Sequence, residues 1–207
     1  MDLTSRTLGY ITIGVGIAAL LASGDSYDGD PADELVGDIF EGIVWPEDPP
    51  SLSPGERSPL IVNGSLRLLY PLPNAYRIGS DFGLRTIRGK QSSHSGVDIG
   101  APIGTAVYAA ADGKVARSHE AGSCGGGVIL AHQYSPRISS TYCHLSRMLV
   151  SVGDTVKQGQ VIGEVGWTGN VIPKAPSASH LHFALHMNGS YVDPKPYFFG
   201  GPVPLKK

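Results

Sequence analysis

Residues 179–186 read Ser-His-Leu-His-Phe-Ala-Leu-His, and from His180 to Leu185 a large apolar side chain alternates strictly with a histidine or the small Ala184. A period of two is the signature of a half-buried strand, because successive side chains point to opposite faces. Leu181, Phe183 and Leu185 therefore share one face. His180 and His182 share the other. Neighbouring stretches show the same short-strand grammar. Ala106–Ala109 and Lys114–Arg117 flank Asp112-Gly113, a strong hairpin signal. Val128–His132 and Ser140–His144 flank Ser135-Pro136, and Asp154–Val156 and Gln160–Gly163 flank Lys157-Gln158-Gly159. Three hairpins and a fourth strand at this spacing predict an all-β domain, a compact antiparallel sheet of barrel-sandwich type.

The chain has 207 residues with 28 Gly and 16 Pro, too many for a helical bundle. Its net charge of −2 conceals two opposed parts. Residues 25–56 carry ten acidic and no basic side chains, whereas residues 57–207 carry fifteen basic and seven acidic ones. An apolar run, Leu8 to Ser23, precedes the acidic stretch. It is slightly short for a membrane span and slightly long for a signal-peptide core. Three parts follow: 1–24, an export signal or membrane anchor; 25–65, an acidic Pro-rich linker; and 66–207, the β domain. Within the linker, Leu35, Val36, Ile39, Phe40 and Ile43 have the spacing of one short amphipathic helix. Arg6 before the apolar run predicts that everything after it lies outside the cytoplasm.

Cys124 and Cys143 lie on the two arms of the second hairpin. An exported domain favours a disulfide between them, with two unpaired small buried residues as the alternative. Cys143 adjoins His144, but strand neighbours face opposite ways, which argues against a Cys–His catalytic dyad.

The seven histidines are not scattered. His180 and His182 share a strand face, and His94 and Asp98 sit close together in Ser-His-Ser-Gly-Val-Asp (93–98). A His–carboxylate pair and a histidine from a distant strand supply three N and O ligands, the number a catalytic zinc takes while keeping a fourth position for water. Such a metal lowers the pKa of water to about 7 and polarises a carbonyl.

Several segments together resemble the lysostaphin/LytM-type zinc metalloendopeptidases. They are Gly83-Leu84-Arg85, the run from His94 to Thr105, Val107 to Gly113, and Tyr142-Cys143-His144-Leu145-Ser146. Gly153 to Gln160, Gly166-Trp167-Thr168-Gly169 and His180-Leu181-His182-Phe183 complete the set. The similarity runs collinearly over about residues 66–199. It implies that 66–207 is a zinc metalloendopeptidase domain with one Zn2+ per chain, held by His94, Asp98 and His182. It also implies catalytic roles for His144 and His180, a place for Arg85 along the substrate cleft, and peptidoglycan as substrate. The stretch 170–179 is longer than the short link expected of the family, so substrate preference does not carry over. His119, His132 and His186 have no role by this resemblance and are expected to be structural or surface residues.

Other partners follow from the N-terminus: a membrane through residues 8–23, or a virion or envelope assembly. The corresponding locations are periplasmic or cell-surface, membrane-anchored, or virion-associated. No aromatic–basic motif points to nucleic acid. A carrier domain with a modified lysine is disfavoured, because Met148 and Met187 have no adjacent Lys. The rival on the same fold is a non-catalytic wall-binding or hydrolase-activating module. Filled ligand positions favour the enzyme.

Overall fold

The computed structural model describes residues 61–62, 65–87, 89–132 and 137–199. The apolar run at 8–23 and the amphipathic segment at 33–45 lie outside them. Sixteen short strands follow one another. They are β1 (Ile61–Val62), β2 (Ser65–Leu66), β3 (Leu68–Leu69), β4 (Ile78–Ser80), β5 (Gly83–Ile87) and β6 (Lys90–His94). Next come β7 (Gly96–Gly100), β8 (Ala106–Tyr108), β9 (Gly113–Ala121), β10 (Gly125–His132) and β11 (Ile138–Met148). Last come β12 (Thr155–Val156), β13 (Val161–Val165), β14 (His180–Met187), β15 (Ser190–Val192) and β16 (Phe198–Phe199). Single 3-10 turns occupy Pro176–Ala178 and Lys195–Tyr197. Among the described residues there is no α-helix and no helix able to cross a membrane. β1 lies within the stretch 25–65 and pairs with β2.

One ten-stranded sheet dominates, with the path β12-β9-β10-β11-β14-β7-β4. β13 joins at β11 and β8, and β15 at β14. β14 lies between β11 and β7, antiparallel to both. The alternation read from residues 180–185 holds. Leu181, Phe183 and Leu185 are buried in a continuous core with Val97, Ile99, Val128, Leu130, Tyr142 and Leu145. Each large apolar side chain buried there contributes about 1.5–3 kcal/mol. Tyr142 and Phe183, opposite each other on β11 and β14, meet edge to face at 5.2 Å. The Tyr142 hydroxyl accepts the Ala110 N–H at 2.8 Å and shares a hydrogen bond of 3.0 Å with the Ser140 hydroxyl, so its buried oxygen is satisfied. On β7, Val97 and Ile99 face the same core, which leaves Asp98 on the face opposite.

The second hairpin is present as β10–β11, with its turn outside the described residues. The first and third are not hairpins. β8 pairs with β13, while β9 pairs with β10 and β12. The Asp112-Gly113 turn instead serves a packing corner: Ala109, Ala110 and Ala111 before it are fully buried. The Asp112 carboxylate accepts the Gln158 N–H at 2.8 Å and Lys157 Nζ at 2.9 Å. Around Lys157–Gln160 the chain does turn, closed by the Gln160 N–H on the Lys157 carbonyl. The strands on either side then leave for different partners.

Candidate metal centre and its histidines

Antiparallel register builds the centre. His182 on β14 lies directly opposite Asp98 on β7, and His180 opposite Gly100. Directly opposed residues share a face, so the alternation of both strands delivers the carboxylate and the two histidines to one side. His94 closes β6 just before β7 begins, and its ring is buried.

Three ligand atoms converge. His94 Nε2 lies 3.0 Å from Asp98 Oδ1 and 3.1 Å from His182 Nδ1, and His182 Nδ1 lies 3.0 Å from Asp98 Oδ1. Among the described residues these three form a metal-capable cluster. The triangle fits a small cation. His94 Nδ1 donates to the Asp81 carbonyl at 2.7 Å. A carbonyl only accepts, so the proton of neutral His94 sits on Nδ1 and Nε2 carries a lone pair. Nε2 and Oδ1 are then two acceptors 3.0 Å apart, a repulsive pair unless a cation lies between them. Ligands about 2.0–2.1 Å from a tetrahedral zinc lie roughly 3.3 Å apart, close to these edges. Two imidazoles and one carboxylate also suit zinc's preference for N and O donors.

The surroundings hold the ligands in place. Arg85 Nη1 donates to Asp98 Oδ2 at 2.8 Å and to Ser80 Oγ at 2.8 Å. The guanidinium of Arg85, the residue read as lining the cleft, grips the far oxygen of Asp98. Burial alone would raise the Asp98 carboxyl; when His94 and His182 carry protons towards it in place of a cation, their hydrogen bonds and charges hold it well below the usual range. Lys195 Nζ pairs with Asp81 at 3.0 Å, tying down the residue whose carbonyl orients His94.

His144 and His180 stand beside the triangle. Their rings lie 4.7 Å apart, His144 lies 6.1 Å from His182, and His180 Nε2 lies 3.7 Å from Asp98 Oδ1. Each donates Nδ1–H to a backbone carbonyl: His144 to Thr168 at 2.9 Å and His180 to Ala178 at 2.8 Å. In the neutral rings both Nε2 atoms therefore carry lone pairs. Burial and the adjacent His180 and His182 push His144 down to about 3, so its ring is neutral near pH 7.

The structure thus brings together all five residues singled out in the sequence. It also joins Cys124 to Cys143 in a disulfide and has no free cysteine among the described residues. The other histidines lie apart. His132 is buried between the Asp112 carbonyl and Ser140 Oγ, His186 packs on Tyr191, and His119 is exposed. The long stretch 170–179 ends in the 3-10 turn that supplies the Ala178 carbonyl. The orienting groups Asp81, Thr168 and Ala178 act through backbone oxygens, which no residue type announces.

Two histidines and a carboxylate in mutual contact, flanked by two further histidines on one face of an antiparallel sheet, make the constellation of a metallohydrolase. The family description "Peptidase family M23" matches residues 92–194. A Vibrio cholerae protein named peptidoglycan DD-endopeptidase ShyC is 38% identical over 122 residues, 58% of this chain and 27% of its own length. The catalytic domain of lysostaphin from Staphylococcus simulans superposes with a TM-score of 0.53 at 34% identity, covering 60% of this chain and 92% of that one. A zinc containing peptidase from Vibrio cholerae superposes with a TM-score of 0.54 at 32% identity, covering 62% of this chain and 39% of that one. The chain belongs to peptidase family M23. It spans about a quarter of the length of curated relatives such as ShyC, at 27%.

Proposed function

We propose that this chain is a zinc-dependent endopeptidase that hydrolyses peptide bonds in the cross-links or stems of peptidoglycan. Residues 66–207 form its peptidase domain, and it works in the periplasm or at the cell surface. The observation that carries the reading is the triangle of His94, Asp98 and His182 ligand atoms, 3.0–3.1 Å on each edge, with two Nε2 lone pairs beside it. The names of the Vibrio relatives support the substrate and the metal.

His94, Asp98 and His182 would hold one zinc. When bound, it supplies a Lewis acid that acidifies water and polarises the scissile carbonyl. The remaining steps fall to the histidines. The Thr168 and Ala178 carbonyls aim His144 and His180 so that their Nε2 atoms accept a proton from the attacking water and return it to the leaving amine. While protonated, the imidazolium stabilises the oxyanion of the tetrahedral intermediate. Because burial keeps His144 neutral, its Nε2 is an acceptor before the reaction begins.

Digestion of defined peptidoglycans, followed by mass spectrometry of the fragments, tests this reading. New amine and carboxyl ends should appear at one cross-link type, D-Ala–diaminopimelate or Gly–Gly, and should vanish with His182→Ala. Cleavage that persists in that variant would refute the site. A non-catalytic wall-binding module, the rival on this fold, would bind sacculi without releasing fragments.

A further inference from the structure

β10 and β11 fall out of step at one point. Val128 faces Tyr142 and Gly126 faces Leu145, so Gly127 alone stands opposite both Cys143 and His144. This two-against-one arrangement is a β-bulge, which bends a strand and re-aims a side chain. It also suspends the simple alternation expected of Cys143 and His144. His144 has φ +65°, a left-handed backbone that side chains other than glycine disfavour. The surrounding structure must over-determine it.

Cys124 supplies two of the constraints. Its sulfur is bonded to Cys143, the first bulge residue. Its carbonyl accepts the backbone N–H of His144, the second, at 2.8 Å. Gly127 has to be glycine, since a Cβ there would come within 2.7 Å of Cys124 Sγ. Thr168 closes the other side. Its carbonyl holds His144 Nδ1–H, its hydroxyl donates to the Leu145 carbonyl at 2.9 Å, and the same oxygen accepts the Gly126 N–H at 2.8 Å. The metal-side ligands are held differently, by Asp81, Arg85 and the β7–β14 register. Cys143 pairs with His182 through the strand ladder, which does not need the sulfur bond.

We infer that the Cys124–Cys143 disulfide is a positioning device for His144. It locks the bulge that points this imidazole at the site, so that turnover depends on the oxidised pair and metal binding does not. The inference rests on the catalytic reading of His144 given above. It ties full activity to an oxidising location, where such bonds persist.

The test compares the full chain with the double variant C124A/C143A and with C124V/C143A, which refills part of the lost volume. Zinc per chain, kcat and KM on a purified cross-linked muropeptide, and the imidazole N–H resonances of 15N-labelled histidine are measured for each. Zinc content should be unchanged, KM should stay within about twofold, and kcat should fall about 10- to 100-fold, as for a displaced catalytic group. The His144 Nδ1–H resonance, sheltered by its bond to Thr168, should exchange faster or shift. An unchanged kcat, or an unchanged resonance in both variants, overturns the inference. So does loss of zinc together with kcat, which would make the bond a general staple. A wild-type chain that binds zinc but cleaves nothing would overturn the catalytic reading instead, and the resonance alone would then decide whether the bond clamps His144.

Discussion

Arg85 Nη1 and Asp98 Oδ2 lie 2.8 Å apart, while the other oxygen of the same carboxylate faces His94 and His182 at 3.0 Å each. The guanidinium thus divides the carboxylate into an anchored oxygen and a presented one. Arg85 is itself fixed by Ser80 Oγ, on the strand that pairs with β7 beside Asp98. Partners of this kind orient metal ligands, and their removal typically weakens metal binding by about 10- to 100-fold. Arg85→Ala should raise the zinc dissociation constant by that factor in a chelator competition, and Arg85→Lys should recover part of it. Unaltered zinc affinity in Arg85→Ala would show that Asp98 needs no second hold.

Metal removal follows the same geometry. Dialysis against a chelator should abolish peptidoglycan cleavage, and one equivalent of zinc should restore it. Because zinc binds the folded chain, a concentration about 100 times the dissociation constant should stabilise it by about 3 kcal/mol in urea unfolding. His182→Ala should show neither effect. Activity that survives complete metal removal would be incompatible with the proposed centre.

Much of this arrangement is legible in residues 179–186, because a period of two states both which face is core and which carries the histidines. His94 and Asp98 are legible through their short spacing. The partners of short strands are not. The stretches flanking Asp112-Gly113 look locally like a hairpin, yet burial of Ala109–Ala111 sends the two arms to different strands. Strand pairing is a long-range choice that a local pattern does not encode. The role of Arg85 is hidden for a similar reason, since its partner lies thirteen residues away across β6 and β7. The carbonyls of Asp81, Thr168 and Ala178 leave no trace in residue type, although Thr168 lies in the Gly-Trp-Thr-Gly motif that carried the family resemblance.

Gly96 sits between His94 and Asp98, two of the proposed ligands, opposite Ala184 on β14. A Cβ at this position would overlap the Phe183 carbonyl, backbone that has no easy way to yield. Gly96→Ala should therefore push β7 away from β14, costing about 3 kcal/mol of stability. It should also separate Asp98 from His182 and weaken zinc binding. Gly100→Ala, on the same strand, is the control: a Cβ there meets nothing within 4 Å. Its stability should change by no more than about 0.5 kcal/mol. Equal effects from the two substitutions would remove the steric argument.

His132 gives the pH dependence of folding a separate origin from the metal centre. Burial lowers it to about 4, with the Asp112 carbonyl and its carboxylate charge opposing the shift. Its Nδ1–H donates to that carbonyl at 2.7 Å, and its Nε2 accepts from Ser140 Oγ at 2.9 Å, so the neutral ring completes the network that satisfies Tyr142. The native pKa lies below the unfolded value of about 6.5. Between the two, the unfolded chain binds a proton that the native chain does not, so stability rises with pH. The contribution is fully present above about pH 6.5 and is lost as pH falls towards 4, by roughly 3 kcal/mol in total. Urea unfolding of metal-free protein between pH 4 and 6.5 should show this slope. His132→Gln should reduce it by about one proton even if the variant is less stable throughout. The same slope in wild type and variant would mean that His132 is not the titrating group.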